Sequence, residues 1–128
     1  MFKTLIVEDN DYFRQSLKDI LTERFPSMII EEASNGEEAL QKVKTLLPHL
    51  IFMDIKLPGE NGLELTKKIK AAYDYIMILI ITNYDLPEYR EAAFKHGANY
   101  FLPKGSLNEE GILRLVNFIS LEQGIELN

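Results

Sequence analysis

The sequence predicts an α/β fold in which one open, doubly wound parallel sheet carries helices on both faces. Short apolar runs alternate with longer segments of helical period, the pattern of successive βα units. The third and fourth runs, Leu50 to Met53 and Met77 to Ile81, are almost wholly apolar, as central strands covered on both faces must be. Polar residues gather just after the runs, where an open parallel sheet forms its ligand crevice.

Taken in order, strands are expected over Lys3 to Glu8, Met28 to Glu32, Leu50 to Met53, Met77 to Ile81 and Tyr100 to Leu102. Phe13, Leu17, Ile20 and Leu21 recur at helical spacing after the first, Leu65, Ile69 and Ala72 after the third, and Ile112, Val116 and Ile119 after the fifth. Ser34-Asn35-Gly36-Glu37 has the spacing of a capping box for the second helix. Pro87 suits the first turn of the fourth helix, and Asn108 before Glu109 and Glu110 suits the start of the fifth. Gly97 and Gly124 suit the ends of those two helices. One domain is expected over residues 1–124, with Ile125 to Asn128 as a tail or the start of a linker cut short.

With 128 residues, 46% of them apolar, the chain can bury a single core without staples. It has no cysteine, which rules out disulfides and thiolate metal sites and fits a reducing cytoplasm. Asp plus Glu outnumber Lys plus Arg by 20 to 14, so direct nucleic-acid binding by this segment is not expected. The longest apolar stretch, Ile76 to Ile81, is too short to cross a bilayer, and no membrane association is expected.

The candidate site follows from the strand ends. Strand one ends in Glu8-Asp9, strand three in Asp54 and strand four in Thr82, and strand five runs through Pro103 into Lys104. Three carboxylates converging on one cleft repel one another unless a cation sits among them or one takes a proton. A hard divalent ion such as Mg²⁺ suits such a set together with a backbone carbonyl, for which Lys56 is placed two residues past Asp54. With a metal, Lys104 and the Thr82 hydroxyl to neutralise the equatorial oxygens, a carboxylate could attack a phosphodonor in line. Singly, each residue has an ordinary explanation: a helix cap, a turn, a structural threonine, a solvated lysine. Their conjunction carries the argument.

Asp54-Ile55-Lys56-Leu57-Pro58-Gly59-Glu60-Asn61-Gly62 resembles the phosphoacceptor segment of response regulator receiver domains, and the resemblance covers nearly the whole chain. It implies a flavodoxin-like (βα)5 fold with strand order 2-1-3-4-5. It implies Asp54 as phosphoacceptor for a sensor histidine kinase, and Mg²⁺ (or Mn²⁺) held by Glu8, Asp9, Asp54 and the Lys56 carbonyl. Thr82 and Lys104 would contact the phosphoryl group. Thr82 and Phe101 would act as the switch, changing the face made by the fourth helix, fifth strand and fifth helix and favouring a homodimer there. Lys56 and Tyr84 would tune dephosphorylation, with bulky Tyr84 giving a moderately long-lived phosphoform.

Three features depart from the family pattern. Lys104 is followed by Gly105 and preceded by Pro103, and a cis bond between Lys104 and Gly105 would cost roughly 2.5–4 kcal/mol. Phe101 lacks the hydroxyl of the usual Tyr, so its switching must rest on packing, and Glu8 stands where Asp is more frequent. Ile81 to Asp85 together with Phe101 to Ser106 look most like receivers that precede a helix-turn-helix domain, which implies transcription control for the parent protein.

Three other readings compete. A phosphohydrolase would carry a second acid where Lys56 stands. A binding module that had lost phosphorylation would not need Asp54, Thr82 and Lys104 together. An electron-transfer flavoprotein would need a phosphate cradle where Glu8 and Asp9 repel one.

Overall fold

The computed structural model describes residues 1–127. Its elements run β1 (Lys3–Val7), α1 (Asp11–Arg24), β2 (Ile29–Ala33), α2 (Gly36–Leu46), β3 (Leu50–Met53), α3 (Gly62–Ala72), β4 (Met77–Thr82), α4 (Pro87–Lys95), β5 (Tyr100–Pro103), a short 3₁₀ turn (Lys104–Ser106) and α5 (Glu109–Gln123). All strand pairs are parallel, in the order β2-β1-β3-β4-β5, which is the expected flavodoxin-like topology. No helix among the described residues is long and apolar enough to cross a membrane.

Side-chain alternation along the strands builds two cores. Leu5, Val7, Ile51, Met53, Ile78, Ile80 and Phe101 point to one face, against Ala39 and Val43 of α2, Leu65 and Ile69 of α3 and Ala93 of α4. Ile6, Leu50, Phe52, Leu79 and Ile81 point to the other, against Leu17 and Leu21 of α1 and Ile112, Val116 and Ile119 of α5. Burial on both faces explains why β3 and β4 read as unbroken apolar runs.

Pairing moves the expected strand ends by single residues. Met28 donates its N–H to the Phe25 carbonyl, closing the turn after α1, so β2 starts at Ile29 and ends at Ala33 opposite Val7. Thr82 pairs with Pro103, which lengthens both β4 and β5. Two further expectations need correction. The N-cap of α2 is Asn35, whose side chain accepts from the Glu38 N–H, while Glu38 reaches back to the backbone and hydroxyl of Ser34. The N-cap is therefore one residue further on than the expected Ser34, and Glu38 takes the part expected of Glu37. Ala72 is exposed; at the end of α3 it is Tyr73 that packs on the core.

The other helix signals are realised. Pro87 opens α4, the Asn108 side chain caps α5 by accepting from Gly111 N–H, and Gly97 and Gly124 adopt positive φ after α4 and α5. Ile125 to Leu127 extend past that last glycine, and Asn128 lies outside the described residues.

Candidate functional site

The chain reverses its direction of winding between β1 and β3, so the crevice at the carboxyl ends of these two strands is the expected ligand site. Val7 pairs with Met53, and the Asp54 N–H donates to the Val7 carbonyl at 3.0 Å. That register brings Glu8 and Asp54 side by side. Asp9 follows Glu8 at the solvent edge, and one carboxylate oxygen from each of Glu8, Asp9 and Asp54 lies within 4.8 Å of the others.

Glu8 and Asp54 are buried, at 2% and 7% exposure. Asp54 Oδ1 accepts the Ile55 N–H at 2.8 Å, which fixes the carboxylate plane. Lys104, arriving from the end of β5, places Nζ 2.6 Å from Glu8 Oε1 and 3.4 Å from Asp54 Oδ2. The other Glu8 oxygen accepts the Asn10 N–H at 3.1 Å. Burial pushes the Glu8 carboxyl above its ordinary pKa, and the nearby Asp54 charge adds to this, against the pull of Lys104 and Asn10. For Lys104, burial disfavours the ammonium, but Glu8 and Asp54 outweigh it and hold the pKa above the usual lysine value.

Thr82 is fully buried at the end of β4, and its hydroxyl oxygen accepts the Tyr84 N–H at 3.0 Å. Because Thr82 pairs with Pro103, it stands one residue from Lys104 across the sheet. Phe101 is buried in the core facing α4, with the Arg90 guanidinium 5.5 Å from its ring centre. The Lys104 segment forms a 3₁₀ turn, and no cis peptide bond occurs among the described residues.

Lys56 and Tyr84, both exposed, come together: the Lys56 ammonium lies 5.0 Å from the centre of the Tyr84 ring. Three neighbours were not singled out from the sequence. The Phe13 ring lies 4.5 Å from Lys104 Nζ, Arg14 donates to the Glu8 carbonyl at 2.7 Å, and the Tyr89 ring lies 5.5 Å from Lys56 Nζ. Phe13 carried a signal only as part of the helical stripe; the other two carried none.

The charge balance fits a divalent cation. Three carboxylates face one ammonium, an excess of two negative charges on hard oxygen donors in a cleft where two of the acids are buried.

A family model described as response regulator receiver domain matches residues 4–117. The chain belongs to this family. The receiver domain is 31% identical over 123 residues to the uncharacterized transcriptional regulatory protein YesN of Bacillus subtilis, covering 95% of this chain and 33% of that protein. It is 38% identical over 106 residues to a protein-glutamate methylesterase/protein-glutamine glutaminase of Pseudoalteromonas atlantica, covering 80% of this chain and 27% of that one. The chain thus spans a third or less of the length of these two relatives, whose names point to different outputs. A CheY-like response regulator receiver domain protein from Methanospirillum hungatei superposes with a TM-score of 0.89 at 27% identity, covering 97% of each chain. Receiver domains bind Mg²⁺ through acidic residues, and Glu8, Asp9 and Asp54 form a cluster of that kind here.

Proposed function

We propose that this receiver domain, residues 1–124 with a short tail, takes a phosphoryl group from a sensor histidine kinase onto Asp54. The observation that carries the proposal is the buried Asp54 carboxylate, fixed by the Ile55 N–H and faced by the Lys104 ammonium at the topological switch point. An Asp54 oxygen forms the new O–P bond as the N–P bond of the kinase phosphohistidine breaks, and the electron pair leaves with the imidazole nitrogen. Glu8, Asp9, Asp54 and the Lys56 carbonyl are the residues that would hold Mg²⁺ (or Mn²⁺), which when bound neutralises charge on the phosphoryl oxygens. Lys104, 3.4 Å from Asp54, would pair with those oxygens, and the Thr82 hydroxyl, one strand away, would donate to them.

Switching then passes through Thr82 and Phe101 to the face formed by α4, β5 and α5. Phe101 is buried in the core that faces α4, a packing contact that needs no hydroxyl. The domain catalyses only its own phosphorylation and dephosphorylation and works in the cytoplasm, and the name of YesN supports a transcriptional output for the parent protein. Retention of Asp54, Thr82 and Lys104 in one crevice disfavours a phosphorylation-independent binding module, and Lys56 stands where a phosphohydrolase would need an acid.

The test is intact mass after incubation with a small phosphodonor, with and without Mg²⁺, on the native chain and Asp54→Asn. A metal-dependent gain of one phosphoryl group that the substitution abolishes is the expected result; no gain on the native chain refutes the proposal. Light scattering on the same samples reads whether phosphorylation favours a homodimer.

A further inference from the structure

Lys56, Tyr84 and Tyr89 come from the β3–α3 loop, the β4–α4 loop and α4, yet meet at one point. The Lys56 ammonium lies 5.0 Å from the Tyr84 ring centre, 5.5 Å from that of Tyr89 and 3.5 Å from the Tyr89 hydroxyl. The two rings stand edge to face with centres 6.0 Å apart. The three differ in anchorage. Tyr89 is half-buried and packs on the core that also holds Ile55 and Phe101, whereas Lys56 and Tyr84 are exposed. Exposed lysines ordinarily sample many rotamers, so a fixed Lys56 needs an anchored partner.

We propose that Tyr89 is a positioning residue: it holds Lys56 and Tyr84 as a cover beside Asp54 and so limits the access of water to the phosphoryl group. The inference rests on Asp54 being the phosphoacceptor. Two features link the cover to the site. Lys56 is two residues beyond Asp54 on the same loop, and the Tyr84 N–H donates to the Thr82 hydroxyl, so the cover and the phosphoryl-contacting group share a hydrogen bond. The aromatic face of Tyr89 is the working part. Its hydroxyl, at the limit of hydrogen-bond distance from Lys56, contributes little.

The substitutions that separate these contributions are Tyr89→Leu, which keeps apolar volume on the core but removes the π face, and Tyr89→Phe, which keeps the ring. The lifetime of the phosphoform, followed by intact mass, should fall about two- to fivefold in Tyr89→Leu, the factor carried by one exposed cation–aromatic contact. It should stay near native in Tyr89→Phe. A second readout needs no phosphorylation: in NMR spectra of the free protein, the Lys56 ε-methylene signals should lie upfield through ring currents. They should return toward those of ordinary exposed lysines in Tyr89→Leu but not in Tyr89→Phe. An unchanged Lys56 signal in Tyr89→Leu, or an unchanged lifetime, overturns the positioning role. If the native chain takes up no phosphoryl group at all, the phosphoacceptor reading falls and the effect on lifetime falls with it, and the NMR arm alone then decides whether Tyr89 holds Lys56.

Discussion

Replacing Gly62 by alanine would drive a methyl group into the backbone of Asp54. An ideal Cβ at Gly62 would lie 1.9 Å from the Asp54 carbonyl oxygen, 2.8 Å from its carbon and 3.0 Å from Met53 Cγ. Gly62 opens α3, and its N–H donates to the Ile55 carbonyl at 2.7 Å, closing the loop that carries Asp54. Its φ is not positive, so the glycine is required by close approach and not by backbone conformation. Carbon–oxygen contacts ordinarily sit at about 3.3 Å or more, so the two segments must part by about 1.4 Å. Overpacking of a tight site costs typically about 1–3 kcal/mol, and a clash against backbone, which cannot rotate away, belongs near the upper end. A small gain from removing glycine's extra unfolded-state freedom leaves about 2 kcal/mol of net loss. For a domain of this size that corresponds to a Tm about 8 °C lower. Displacing Asp54 by that distance should also slow phosphoryl uptake, on the order of 100-fold. Differential scanning calorimetry and a mass-based uptake time course check both, with Gly105→Ala as control, since a Cβ there meets nothing within 4 Å. A Gly62→Ala protein that melts and reacts like the Gly105→Ala control refutes the reasoning.

Two further predictions concern charge. Lys104→Met leaves the buried Glu8 and Asp54 carboxylates without their ammonium, and should cost about 3 kcal/mol in urea unfolding, part of which Mg²⁺ should restore; an unchanged midpoint would show the pair to be energetically idle. His49 Nδ1 accepts the Lys3 N–H at 2.9 Å, and burial, followed by the Lys3 and N-terminal charges, lowers its pKa. The unfolded state therefore binds the proton more readily, so this contribution to stability is fully present above the ordinary histidine pKa of about 6.5 and declines as pH falls from there toward the folded value. Urea midpoints measured across that window should fall with pH in the native protein and lose this component in His49→Asn; equal slopes would exclude His49 as its source.

The residues of the site were legible because the polypeptide announces strand ends. Glu8, Asp9, Asp54, Thr82 and Lys104 each follow an apolar run, and a parallel sheet gathers all such ends at one edge. The contacts among them were not legible, since they depend on register and side-chain length. Glu8 and Lys104 leave strands that are not neighbours, β1 and β5, and meet only because both side chains are long enough to converge across the ends of β3 and β4, beside Asp54. Phe13 reads as one more member of an apolar stripe, although its ring also lies against the Lys104 ammonium. The close approach of Gly62 is invisible for a related reason: a glycine at a helix start is ordinary until the opposing carbonyl is placed.

These contacts change the meaning of the substitution at the first acidic position. Glu8 engages one oxygen with Lys104 and the other with the Asn10 N–H, so the longer acid is held by the protein's own donors. A cation drawn to Glu8 must compete with Lys104 for the same oxygen. The closer partner of Lys104 is Glu8, at 2.6 Å, and not Asp54, at 3.4 Å. Loosening the first contact would therefore free the ammonium for the oxygens of a group on Asp54, coupling charge neutralisation at Glu8 to the placement of Lys104.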